Sequence, residues 1–95
     1  MSIQSDRINV TYSTLKNKIN KTKHGISLRR AKDLDMSTAR LALDDREDYG
    51  EDRWVAIGFL DARLYVLVFT FTELGIRAIS LRRAERYEEA IYAEE

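Results

Sequence analysis

At 95 residues the chain is one domain's worth, enough for a single compact core and no second one. Apolar residues at 44% and charged residues at 34% rule out disorder from want of hydrophobic material, and the absence of cysteine with a single histidine, His24, excludes disulfides, thiolate metal sites and multi-histidine sites. No apolar run approaches the ~20 residues of a membrane span, and the opening MSIQSDRINV lacks a signal peptide's apolar core, so a soluble cytoplasmic protein is expected. The zero net charge hides a pattern. Residues 1–34 carry eight Lys/Arg against two acids, 35–61 eight acids against three bases, 62–83 four arginines against Glu73, and 84–95 five acids against Arg86. If the two basic blocks meet in space, a neutral protein presents a cationic face.

Ile8-Asn9-Val10-Thr11-Tyr12 alternates apolar and polar residues and predicts a short strand. Ser13 is placed to cap a helix over 13–24, with Leu15 and Ile19 expected inward and lysines around the rest. Gly25 ends it, because glycine accepts the left-handed conformation just past a helix. Ser27 caps a second helix over 27–38, with Leu28, Ala31 and Leu34 at helical spacing. The period then changes. Leu41 and Leu43 predict a short strand, and 44–50 an acidic, solvated loop. Trp54 to Leu60 is a strand, and Asp61-Ala62 the break before another. Leu64 to Thr72 is so apolar that it predicts a central strand. Glu73-Leu74-Gly75 is a hairpin turn, Ile76 and Ile79 belong to a last strand, and a third helix runs from about Arg83 with Ala84, Tyr87 and Ile91 on one face. Strands joined by short turns form an antiparallel meander. The expected fold is α+β: one small domain over 1–95, an antiparallel sheet of four or five strands, two N-terminal helices packed on it and a C-terminal helix.

Each basic or titratable residue has a chemical and a plain reading. Lys16, Lys23, Arg77, Arg82 and Arg83 suit phosphate, or are ordinary solvated charges. His24 is the only side chain with an ordinary pKa near neutrality, hence a candidate acid or base, or else a helix C-terminal cap. Glu51 is the other candidate base, or the ion-pair partner of Arg53 two residues on. On a regular strand Arg77 shares a face with Ile79 and needs a carboxylate such as Glu51. Ser80 is placed to cap the last helix, and Arg82 and Arg83 to sit at its N-terminus, where backbone N–H groups also attract phosphate. Tyr87 and Tyr92 could stack a base, although Tyr87, like Trp54, fits the core.

Several of these pieces together resemble a known family. Lys23-His24-Gly25-Ile26-Ser27 is similar to the K-H-G-V-S helix-to-helix turn of the BrnT family of bacterial toxins, RelE-like ribonucleases of type II toxin–antitoxin systems. Asn20 and Lys16 match the family's residues just upstream, Glu51-Asp52-Arg53 its E-x-R, Gly58 its strand glycine and Val66 to Thr70 its central strand. Ile76 to Ala84 resembles I-R-I-I-S-A-R-K-A, and Glu88 and Tyr92 follow at the family's spacing. The chain departs at Tyr12-Ser13-Thr14, where the family has a W-D-P-like triplet, at Asp35, where it has an apolar residue, and at Glu85, where it has a small hydroxyl residue.

The resemblance implies a RelE-like fold and a metal-independent endoribonuclease that inhibits translation. It implies Lys23, His24, Glu51, Arg53 and Arg77 as the catalytic set and Lys16, Ser80, Arg82 and Arg83 as the RNA- and phosphate-binding set. It implies RNA as substrate, no cofactor or metal, and a BrnA-type antitoxin in a 2:2 complex through which alone DNA is bound. Cleavage of this kind uses the ribose 2′-hydroxyl as nucleophile, a base, an acid and cations against the developing charge. A decayed toxin that keeps the fold as a non-catalytic RNA- or partner-binding module is the alternative, favoured by the carboxylate missing near Ser13.

Overall fold

The computed structural model describes residues 9–94; the expected start of the first strand at Ile8 lies outside them. The elements are β1 (Asn9–Thr11), α1 (Thr14–His24), a 3-10 helix (Leu28–Asp33), β2 (Arg40–Asp44), β3 (Arg53–Leu60), β4 (Arg63–Phe71), β5 (Gly75–Arg83) and α2 (Arg86–Ala93). The strands form one sheet in the order β1-β5-β4-β3-β2. β2 to β5 are the expected antiparallel meander. β1 is not part of it and pairs parallel with the start of β5. The two strands come close there because Gly75 has no side chain: a Cβ would run into the Asn9 carbonyl.

The Ser13 hydroxyl accepts the Lys16 N–H, and Gly25, at φ 73°, closes α1. The inward face of α1 differs from expectation. Leu15 is 68% exposed and Ile19 is exposed, whereas Asn20 is buried. An amide wins the inner position over two aliphatics because α1 lies against a strand edge, where unpaired backbone groups need partners. The second helix is shorter than 27–38: Ser27 caps it, but it is a single 3-10 stretch that Leu34 ends. Its apolar triad Leu28, Ala31 and Leu34 is buried as expected. With Ala56, Leu60, Leu67, Phe69, Ile76, Ala78 and Leu81 it forms the core between the helices and one face of the sheet.

The register assigns the other face rung by rung. One rung is Arg40–Ile57–Val66–Arg82, the next Ala42–Val55–Val68–Ser80, and the third joins Asp44 to Arg53 and Thr70 to Arg77 and Thr11. Between Val68 and Phe69 the ladder slips, leaving Ile79 as the extra residue of a bulge. That slip corrects the expected regular alternation and puts Arg77, Ser80 and Arg82 on one face.

Three further expectations change at the C-terminal end. β5 continues through Arg83, so Arg82 and Arg83 belong to a strand, and α2 begins only after Glu85. Ser80 lies within β5 opposite Val68 and caps nothing. Tyr87 is 60% exposed and Ile91 is exposed, so that face of α2 is not core. The helix is held instead by Tyr92, whose ring meets Phe59 edge-on at 5.5 Å, lies under the Arg40 guanidinium at 5.1 Å, and whose hydroxyl donates to the Thr38 carbonyl at 3.0 Å. Asp44, expected in the solvated loop, is buried at the end of β2, where its carboxylate accepts from Arg46 Nε at 2.7 Å and Nη2 at 2.8 Å.

Candidate active site

Two cationic clusters stand at opposite ends of the rung-bearing face. Arg77 and Arg82 are four steps apart on the facing strand, which at about 3.3 Å per residue is roughly 13 Å.

The first cluster holds Glu51, Arg53 and Arg77. The Glu51 carboxylate accepts from Arg77 Nη2 at 2.8 Å and from Arg53 Nε at 3.4 Å. The Arg53 guanidinium lies 4.0 Å from the Tyr49 ring centre, a cation–π stack. Thr70 Oγ1 donates to the Asp52 carbonyl at 2.8 Å and ties the acidic loop to the sheet. The arginine bonds, that from Arg77 first, hold the Glu51 carboxyl below its usual range. Glu51 is therefore an ionised brace between two guanidiniums and a weak proton acceptor, and its expected pairing with both Arg53 and Arg77 is what the geometry shows.

The second cluster is assembled by Asn20. Its Nδ2 donates to the carbonyls of Leu81 and Ile26, both at 2.9 Å, and its Oδ1 accepts the Leu81 N–H at 3.0 Å. The side-chain amide thus pairs with the edge of β5 as a neighbouring strand would. Asn17 fixes the turn beyond, its Oδ1 accepting from Ser27 Oγ at 3.2 Å and the Leu28 N–H at 2.7 Å. The end of α1, with Lys21, Lys23 and His24 in its last turn, is thereby held at the edge of β5. There burial first, then the charges of Lys23 and Arg82, push the His24 pKa below 6.5.

Arg82 donates from Nη1 to Glu88 Oε1 at 2.8 Å and from Nη2 to Oε2 at 2.7 Å. Glu88 Oε1 also accepts the Glu85 N–H at 2.8 Å, and Oε2 the Tyr87 hydroxyl at 3.1 Å. Led by the arginine bonds, these interactions hold the Glu88 carboxyl down at about 2. The N-terminus of α2 is thus filled by the protein's own carboxylate, and Arg82 and Arg83 stand on β5 rather than at that helix N-terminus. Glu88 and Asn20 organise this cluster, yet in the sequence only their spacing marks them: Leu81, the strand partner of Asn20, lies sixty-one residues away, and Glu88 meets Arg82 only because β5 runs on to Arg83 before α2 begins.

The remaining candidates fall outside both clusters. Lys16 is exposed eight residues before His24, about 12 Å along the helix at 1.5 Å per residue. Arg83 is exposed on the opposite face from Arg82, level with Tyr65. Ser80 lies between the clusters on the middle rung. A cleft of about 420 Å³ runs along the 44–52 loop, but Asp44, Asp45, Glu47, Asp48, Glu51 and Asp52 line it, a sign that turns a polyanion away. Among the described residues no group of three or more His, Cys, Asp or Glu is arranged to hold a metal ion, and no helix is long and apolar enough to cross a membrane.

Comparison with known proteins adds to this geometry. The model of the family "Ribonuclease toxin, BrnT, of type II toxin-antitoxin system" matches residues 12–88. The crystal structure of the Brucella abortus ribonuclease toxin BrnT superposes with a TM-score of 0.66 at 18% sequence identity, covering 83% of this chain and 99% of that one, a likeness of fold. No curated protein sequence matches the chain. The family match runs from Tyr12, just before the helix that carries His24, through the Glu88 that holds Arg82, and on that span the chain belongs to the BrnT family of ribonuclease toxins of type II toxin–antitoxin systems, within the RelE-like superfamily.

Proposed function

We propose that the chain is a metal-independent endoribonuclease that blocks translation in the cytoplasm and is neutralised by a BrnA-type antitoxin. The observation that carries this reading is His24 beside Lys23 and Arg82. A histidine with a lowered pKa is neutral at physiological pH and can accept a proton, while the two cations next to it stabilise charge on a phosphate. His24 takes the proton of the 2′-hydroxyl as its oxygen attacks phosphorus, and Lys23 and Arg82 face the developing negative charge. The bond to the 5′-oxygen breaks, and that oxygen takes a proton from Lys23 or solvent. Glu51 is too firmly ionised to serve as the base. Its role is to align Arg53 and Arg77, which grip a second phosphate of the same strand at the far end of the face, with Tyr49 behind Arg53 as a stacking surface. Lys16 extends the cationic track along α1.

The same cationic face would receive the antitoxin, because charges that hold phosphate also hold carboxylates. In a complex of two toxins and two antitoxins, DNA would be bound through the antitoxin, since α2 presents Glu85, Glu89 and Glu94 to solvent. Controlled expression without antitoxin, followed by RNA integrity measurements, tests the reading. Wild type should degrade RNA and arrest growth, His24→Ala should not, and an equimolar antitoxin should abolish cleavage. One observation favours a second reading, a non-catalytic RNA-binding module: Arg82 and Glu51 are already engaged by internal ion pairs. Intact RNA at full expression, with RNA still bound in vitro, would establish it.

A further inference from the structure

Of the eleven residues of α1, Asn20 alone is buried. Leu15 and Ile19, which have the spacing of an inner face, are exposed. The position of the helix therefore rests on hydrogen bonds more than on apolar packing. The difference bears on precision: apolar contact is non-directional, whereas a hydrogen bond weakens steeply as its angle closes below the linear. A carboxamide has two N–H donors and an acceptor oxygen. Asn20 uses all of them, Nδ2 toward the carbonyls of Leu81 and Ile26 and Oδ1 toward the Leu81 N–H.

Covering the strand edge needs only the two bonds to Leu81. β1 ends at Thr11, opposite Arg77, and beyond it the Asn20 amide stands in for the missing strand. The third bond has another effect. Ile26 lies past the Gly25 turn, so one side chain grips β5 and also the chain that leaves the turn. Lys23 and His24 lie between those two holds. His24, four residues after Asn20, stands on the same side of α1 one turn further along. Arg82 follows Leu81 on β5. On each element the anchored residue thus adjoins the residue assigned to the chemistry.

We infer that Asn20 is a positioning residue for the proposed cleavage, holding the end of α1 on β5 so that His24 and Arg82 form one site. The inference rests on the reading of His24 as the base. The carboxamide touches no substrate and acts through the histidine. A misplacement of about 1 Å at such a centre costs up to about a hundredfold in rate. The charges that act on the imidazole are Lys23 on its own helix and Arg82 on β5, with Glu88 of α2 bound to Arg82. Loss of the clamp takes His24 out of its partial burial and away from Arg82, so its pKa should rise toward 6.5.

His24 is the sole histidine, so proton NMR follows its titration directly, with or without activity. Asn20→Leu fills a similar volume and makes none of the three bonds, and Asn20→Ala is a second variant that cannot overpack. Leu60→Ala is the control: it opens a cavity at a buried side chain on β3, two strands from β5. In the Asn20 variants the histidine titration and the acidic limb of the kcat profile should move up together. kcat should fall by at least about tenfold, and KM should stay within about threefold, because Arg53 and Arg77 still hold the strand. Leu60→Ala should lose stability in urea and move neither titration nor limb. An unmoved titration in folded Asn20 variants, or a kcat no lower than that of Leu60→Ala, would overturn the inference. Intact RNA with the wild-type chain would instead refute the ribonuclease reading, and with it the catalytic role of the clamp, while the titration still reports the clamp itself.

Discussion

Glu88→Gln removes one charge and almost no volume, so it isolates the ionic role of the residue that ties α2 to β5. In the native protein Glu88 accepts two bonds from Arg82, one from the Glu85 N–H and one from the Tyr87 hydroxyl. A carboxyl lowered from its ordinary 4.5 to about 2 is more stable as the anion in the folded state by about 3 kcal/mol at neutral pH. The Arg82 side chain is 30% exposed, so water takes up part of the loss when its partner is neutralised, and the expected cost is about 2–3 kcal/mol. The sign with pH follows from linkage. A depressed carboxyl contributes its stability above the unfolded pKa and loses it as pH falls through the folded one. The difference between wild type and variant should be complete at pH 7, fall below half by pH 3 and nearly vanish by pH 2. Urea denaturation at pH 7 and pH 3, followed by Trp54 fluorescence and by far-ultraviolet circular dichroism, measures it. A difference under about 0.5 kcal/mol at pH 7, or one that does not shrink at pH 3, would refute the argument that Glu88 acts as a buried anion.

Asn20→Ala should cost about 2–4 kcal/mol, since it leaves the edge of β5 at Leu81 without its partner; a denaturation midpoint close to wild type would show that water replaces the amide. If His24 is the base, its lowered pKa places the acidic limb of the pH–rate profile below 6.5, with activity rising through it to a plateau, and His24→Ala should abolish that limb. Arg77→Ala and Arg82→Ala should each lower the slope of log RNA affinity against log salt by about 0.7 for each phosphate no longer held, while Arg83→Ala, on the opposite face, should leave it unchanged. RNA cleavage should survive EDTA; complete loss restored by a divalent ion would end the metal-free mechanism.

Much of the fold is legible because it is written in short-range chemistry. Ser13 and Ser27 start their helices, Gly25 ends the first, Asp61-Ala62 turns a hairpin, and the run from Leu64 to Thr72 marks a strand with neighbours on both sides. Each signal acts within a few residues of its own position. The Glu51–Arg53–Arg77 cluster is legible in part for the same reason: an arginine on a strand that must stay partly buried requires a carboxylate, and Glu51 is at hand.

Sequence reasoning stops where the deciding partner lies far along the chain. Leu15 and Ile19 have the periodicity of an inner face, but Leu81, sixty-one residues from Asn20, decides which side of α1 turns inward. The bulge at Ile79 depends on how β4 and β5 align, and it sets whether Arg77 and Arg82 share a face. The end of β5 and the start of α2 differ from expectation although Glu88 reaches back only six residues to Arg82 and three to the Glu85 N–H, because it is the pairing of β5 with β4 as far as Arg83 and Tyr65 that carries the strand on and delays the helix. Composition and local pattern thus determine the elements, their order and the residue types available for phosphate chemistry. Folding the sheet decides which of those residues meet, because backbone pairing at β5 moves whole side-chain rows from one face to the other and local propensity has no means of counting across strands.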